Sequence, residues 1–308
     1  MAFKKTLFIT YVFLILMGEI LFTQQKNNED IVSKNINELY LEINNLISSS
    51  QGKFALAFSE IGNEDNKIFI NEDEVFHAAS TFKTAVMIEV FRQAKEGRFS
   101  LDDSIYVKNE FRSIVDGSSY SLDISEDEGK ELYSFIGKYK SIRELVFDMI
   151  TVSSNLATNL LIDLVGAENV TKTIGNIGAK NLKVLRGVED IKAFKLGLNN
   201  STTAKDLLIV YESLATNKIL DRNACEEMIE ILSKQKFNDL IPKYLPKNLK
   251  IAHKTGSISK TEHDSGIVFL DNGKKYILVI LSTNLENLEE GKELIARISK
   301  LIFDYMMD

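Results

Sequence analysis

The apolar period of this 308-residue chain changes from strand-like to helical and back again, and that alternation limits the folds open to it. Residues 54–61 and 67–70 read as two strands joined by the polar turn 62–66. Ahead of them, Ile36, Leu39, Tyr40, Ile43, Leu46 and Ile47 recur at helical spacing within residues 31–48. The middle is helical: residues 80 to about 96, ended by Gly97, then 142–149, 155–165, 204–216 and 223–233. Strands return at 249–253, 266–270 and 275–281, with Asp271-Asn272-Gly273 as a turn, and an amphipathic helix over 285–306 closes the chain. Strands at both ends with helices between them predict an α+β fold: one antiparallel sheet built from both chain ends, flanked by helices, with an inserted all-helical lobe. A cleft between two such lobes suits small-molecule chemistry. Residues 117–130, rich in Ser, Asp, Glu and Gly, read as an exposed excursion.

The first residues point outward. Lys4 and Lys5 precede an apolar run over 6–17, followed by Gly18, Glu19 and Ile20-Leu21-Phe22. A basic start and an apolar run of that length predict an export signal or a retained amino-terminal anchor over residues 1–24. Glu19 makes a full membrane span costly. A polar linker over 25–34 and a folded domain over 35–308 complete the expected organisation, outside the cytoplasm or on the outer face of its membrane. With 37 basic against 44 acidic residues the net charge is -7, which argues against a nucleic-acid partner and leaves a small molecule or cell-wall peptide. Cys225 is the only cysteine, so an internal disulfide and a cysteine-based zinc cluster are excluded. His77, His253 and His263 fit no tight ligand spacing, and no metal or cofactor is expected. The expected state is a monomer.

Three short motifs carry the chemistry. Ser80-Thr81-Phe82-Lys83 is expected to open the first long helix, where a spacing of three puts hydroxyl and amine within reach of each other. A buried lysine near another cation loses proton affinity and can act as base for the hydroxyl. Free N–H groups at a helix start suit an oxyanion. The spacing alone identifies nothing, because Ser50…Lys53, Ser233…Lys236 and Ser257…Lys260 share it. Lys254-Thr255-Gly256 occurs once; Gly256 allows close approach of a ligand to a strand, and the lysine and hydroxyl suit a carboxylate. Ser153-Ser154-Asn155, between two helices, offers a second hydroxyl and an amide, or simply a helix N-cap.

In that order, at positions 80, 153 and 254, the motifs resemble the penicillin-recognising serine enzymes. Within that superfamily the chain is similar to class A β-lactamases. Residues 149–161 around Ser153 and the stretch His253-Lys254-Thr255-Gly256-Ser257 with Asp264-Ser265-Gly266-Ile267-Val268 carry the likeness, which runs from about residue 35 to the end. The resemblance implies a β-lactamase/transpeptidase-like arrangement with Ser80 as nucleophile and Lys83 as its base. Ser153 would pass a proton to the leaving nitrogen, and Asn155 would hold the substrate's side-chain amide. Lys254 and Thr255 would face its carboxylate, and the N–H groups of Ser80 and Ser257 would form the oxyanion hole. Glu189, in Arg186-Gly187-Val188-Glu189-Asp190, matches best the glutamate that activates water for deacylation. The departures fall mainly on this last step. Two residues separate Arg186 from Glu189, Ala193 stands where the family holds water with an asparagine, and no acid precedes Thr202-Thr203. Ser154 replaces an aspartate, and Ser265 an arginine.

Hydrolysis of β-lactams through an acyl-enzyme is the favoured expectation. The altered loop keeps two others open: a peptidase or esterase acting on D-Ala-D-Ala-like peptides or small esters, and a membrane-anchored penicillin sensor that stays acylated.

Overall fold

The computed structural model describes residues 35–308, so the signal or anchor and the whole of the expected linker lie outside the described residues. In chain order, helix α1 (Ile36–Ser48) leads to strands β1 (Lys53–Glu60), β2 (Lys67–Ile70) and β3 (Phe76–His77), then helix α2 (Lys83–Lys95). Short strands β4 (Ser104–Tyr106), β5 (Phe111–Arg112), β6 (Ser119–Tyr120) and β7 (Tyr139–Ser141) frame a loop with 3₁₀ turns at Ile124–Glu126 and Lys130–Phe135. Helices α3 (Ile142–Thr151), α4 (Asn155–Val165), α5 (Ala167–Asn176) and the short α6 (Ile191–Lys195) follow, with β8 (Ser201–Thr202), α7 (Ala204–Ala215) and α8 (Arg222–Leu232). The chain ends in β9 (Lys250–Ile258), β10 (Thr261–Phe269), β11 (Lys275–Thr283) and α9 (Leu288–Met307).

The sheet order β2-β1-β11-β10-β9 joins the two chain ends, as the alternation of period predicts. Leu56 of β1 lies opposite Ile280 of β11, and every neighbouring pair is antiparallel. Because side chains alternate across a strand, β11 serves two cores at once. Tyr276, Leu278 and Ile280 join α1 and α9 on one face, whereas Ile277, Val279 and Leu281 face the helical lobe. Burial on both faces explains the near-continuous apolar run of this strand. No helix among the described residues is long and apolar enough to cross a membrane.

Three expectations are corrected. First, β9 and β10 run well beyond their apolar stretches. Lys254, Thr255, Glu262, His263 and Asp264 break the apolar pattern, yet they remain in the ladder, with Lys254 opposite Ser265. Second, helix α2 starts at Lys83, so Ser80 stands in the turn before it. That turn is tight: Thr81 N–H donates to Ala78 O (3.0 Å) and Lys83 N–H to Ser80 O (3.2 Å). Third, the excursion at 117–130 is not wholly exposed, since Leu122 and Asp127 are buried within it.

Truncating the shared strand should weaken both halves together. Leu278→Ala is expected to cost about 2–5 kcal/mol of unfolding free energy in urea titrations, from lost transfer energy plus the cavity left behind.

Candidate active site

The site is assembled where the turn before α2 meets the edge strand β9 and the turn before α4. Ala79 holds φ at 45°, a costly conformation for a residue with a Cβ, immediately before Ser80. Strain of this kind at a turn presents the next side chain outward, and Ser80 lines an open cleft of about 360 Å³ with Ser153, Asn155, Thr255 and Ser257. The Ser80 N–H makes no hydrogen bond among the described residues. Gly256 lies against it: a Cβ there would sit 2.9 Å from Ser80 N and 3.1 Å from Ala79 Cβ.

Below Ser80, two lysines converge on one hydroxyl. Lys83 Nζ donates to Ser153 Oγ (3.2 Å), Ser153 O (2.7 Å) and Asn155 Oδ1 (3.0 Å). Lys254 Nζ donates to Ser153 Oγ (3.0 Å) and Thr255 O (2.9 Å). Both lysines are fully buried. Burial pushes the Lys83 amine down to about 7, against the opposing fields of Asp127 and Glu189. Burial and the neighbouring Lys83 hold Lys254 well below the usual ammonium range. Ser153 itself carries φ 57°, and these bonds to both its oxygens fix it there.

Glu189 reaches the same group from another direction. Asn155 and Asn159 are one turn apart on α4 and share a face. Asn159 Oδ1 accepts from Val188 N–H (2.7 Å), and its Nδ2 donates to Val188 O (3.1 Å). A Cβ on Gly187 would overlap Asn159, so glycine permits this grip. On the other side Asp190 accepts from Ser113 Oγ (2.9 Å) and Ile114 N–H (2.9 Å). Held between these clamps at φ 60°, Glu189 accepts from Asn155 Nδ2 (3.2 Å) and Asp123 N–H (2.9 Å). Burial raises its proton affinity, and those two donors oppose the rise. Asn155 therefore links the Lys83 amine to the Glu189 carboxylate.

Residues 38–306 match the β-lactamase enzyme family. The chain belongs to that family. It is 25% identical over 292 residues to β-lactamase BRO-1 of Moraxella catarrhalis, covering 90% of this chain and 88% of the relative. With β-lactamase PSE-4 of Pseudomonas aeruginosa it shares 24% over 252 residues, 76% of this chain and 78% of that one. Among solved structures, PBP-A superposes with a TM-score of 0.75 at 26% identity over 87% of this chain and 96% of its own. TLA-1 extended-spectrum β-lactamase, at 22% identity, shares the fold with a TM-score of 0.77 over 89% of this chain and 100% of its own.

Four placements bear on the pattern expected of a β-lactamase. Lys254 turns inward to Ser153, which leaves the Thr255 hydroxyl on the cleft side of the motif. The Ser257 hydroxyl is held by Glu262 (2.9 Å), and Ser265 is buried against Tyr211 and Lys254 O. Ala193 is buried in α6 and offers no amide to a water. The neck of this loop is closed by Arg186 on neutral acceptors: Arg186 donates to Leu198 O and Asn199 Oδ1, and Asn200 bonds the main chain of Leu185 and Arg186. The histidines are structural: His253 pairs with buried Asp264, His263 donates to or accepts from main-chain atoms of Glu262, His77 and Ser282, and His77 accepts from Ala79 N–H. The motifs did not reveal Asn159 and Asp127, although the Asn155…Asn159 spacing was a usable signal for the first.

The contact at Gly256 gives a test. Gly256→Ala must displace the Ser80 main chain, so kcat/KM is expected to fall about tenfold or more, from misplacement of Ser80 alone, while far-ultraviolet circular dichroism stays unchanged.

Proposed function

We propose that this β-lactamase-family chain hydrolyses β-lactam antibiotics through an acyl-enzyme on Ser80, released by water that Glu189 activates. The observation that carries the reading is the buried Lys83–Ser153–Lys254 arrangement beneath the Ser80 N–H, which has no partner among the described residues. A lysine held near 7 is largely neutral at slightly alkaline pH and accepts the Ser80 proton. The Ser80 oxygen adds to the lactam carbonyl, whose oxygen takes up the charge at the N–H groups of Ser80 and Ser257. The carbon–nitrogen bond then breaks, and the nitrogen receives a proton through Ser153, which Lys83 resupplies with the proton taken from Ser80. In the second half Glu189 takes a proton from water, the hydroxide adds to the acyl carbon, and the Ser80 oxygen leaves and regains a proton as Glu189 gives its own up. Thr255 takes the substrate carboxylate, with the Lys254 amine behind it, and Asn155 the side-chain amide. We place residues 35–308 as the hydrolase, exported or anchored by residues 1–24 outside the cytoplasm, and monomeric.

Membership in the family and the named β-lactamase relatives support hydrolysis. Buried Ala193 favours a second reading, slow release, and a mutant of PBP-A has been solved as an acyl-enzyme complex with penicillin G. Intact-mass measurements with a penicillin separate the two. Wild type is expected to give a transient adduct with product release, Ser80→Ala no adduct, and Glu189→Gln an adduct that persists at least about a hundredfold longer, the scale of a lost general base. A lasting wild-type adduct would support the binding-protein reading, and no adduct would refute acylation by β-lactams.

A further inference from the structure

The loop between β6 and β7 touches the site at three points. Asp123 N–H holds Glu189, Glu126 O accepts from Asn155 Nδ2 (3.4 Å), and the side chain of Asp127 reaches the first turn of α4. Asp127 is 1% exposed. Its Oδ1 accepts from Asn155 N–H (3.0 Å) and Gly129 N–H (2.8 Å). Its Oδ2 accepts from Leu156 N–H (2.8 Å) and Tyr133 Oη (3.1 Å), with Ser154 Oγ at 3.5 Å.

The first N–H groups of a helix have no partner within it, and here each can be accounted for. Asn155 and Leu156 donate to Asp127, Ala157 donates to Ser154 Oγ, and Thr158 to Ser154 O. Ser154 therefore caps one group and leaves two that only the loop carboxylate satisfies. The fit is close: a Cβ on Gly129 would lie 2.3 Å from Ser154 Cβ, so the loop reaches this depth only with glycine beside a small residue. A carboxylate receiving two main-chain N–H groups from one helix turn fixes the direction of that turn. The turn carries Asn155, and Ser153 directly precedes Ser154.

We propose that Asp127 is the positioning residue of the Ser153–Asn155 turn, supplying from the loop the carboxylate that the motif lacks at Ser154. The inference rests on the reading of Ser80, Lys83 and Ser153 given above. It also predicts an electrostatic role. Lys83 is faced by Lys254 from β9, Asp127 from the loop and Glu189 from the segment before α6, and the two carboxylates favour its charged form. Removing the Asp127 charge lowers the proton affinity of Lys83, so the acidic limb of the acylation rate moves to lower pH.

The test compares Asp127→Asn, which keeps the shape and removes the charge, with Asp127→Ala and the double variant Asp127→Ala/Ser154→Asp. Acylation of Ser80 is timed with the chromogenic cephalosporin nitrocefin and, in parallel, with a fluorophosphonate that labels any activated serine. Both single variants are expected to acylate about tenfold or more slowly, and Asp127→Asn to shift the acidic limb downward. Restoring a carboxylate at position 154 is expected to return the rate to within about threefold of wild type, which a merely structural loss would not allow. The proposal is overturned if Asp127→Asn reacts at the wild-type rate with an unmoved limb, or if the double variant stays as slow as Asp127→Ala. Labelling by the fluorophosphonate alone would count against the β-lactam reading, and the variant ratios would still decide the role of Asp127.

Discussion

Two lysines buried on either side of one serine hydroxyl set the terms for the rest of this structure. Like charges near 4 Å repel by about 4 kcal/mol even at an effective dielectric of 20, and burial adds a desolvation cost to each. The arrangement is tenable when a proton is given up and every remaining donor has an acceptor. Burial lowers both amines, Lys83 to about 7 and Lys254, beside Lys83, well below the usual ammonium range, and Ser153 O, Asn155 Oδ1 and Thr255 O take donors of the pair. The depression at Lys83 is on the order of 5 kcal/mol of lost preference for the charged form. Its sign is fixed by linkage. Between about 7 and 10.5 the unfolded chain binds the Lys83 proton and the folded chain does not, so this part of stability is lost below about 7 and recovered as pH rises.

Meeting that constraint explains features that otherwise look unrelated. Ser153 and Ala79 hold left-handed φ values because one must offer two oxygens to lysines and the other must turn Ser80 into the cleft. Asn155 is divided between Lys83 and Glu189, so the groups proposed for acylation and deacylation share one amide. Asp127, Glu189 and Asp264 place negative charge around the pair, from a loop, a turn and a strand that are distant in sequence. The altered neck around Arg186, closed by neutral acceptors, concerns only the segment that carries Glu189.

Much of this was legible in the sequence, for physical reasons that vary by residue. The sheet was readable because β1 and β11 are buried on both faces and their apolar runs are unbroken. The polar ends of β9 and β10 were not, since Lys254, His263 and Asp264 are held by the ladder and by polar partners elsewhere, Ser153, the His77 main chain and His253, rather than by apolar burial. Ser80, Ser153 and Lys254 were found by their order, and the structure brings all three to one cleft or to its floor. The inward turn of Lys254 was hidden, because a motif gives residue types and not the direction of a long side chain. Asp127 was invisible for another reason: its partners are main-chain N–H groups 28 and 29 residues away, and main-chain donors leave no mark in a sequence. An acidic, glycine-containing stretch such as 117–130 therefore predicts a solvated loop.

The most direct test of the account is the titration of Lys83 itself. In protein labelled with carbon-13 at lysine Cε, with Lys83→Arg used for assignment, the shift of that carbon can be followed from pH 5 to 11. A midpoint near 7 would establish a neutral amine beneath Ser80 at working pH. A Lys83 that stays charged until about 10.5, as an exposed lysine does, would contradict the mechanism at its first step.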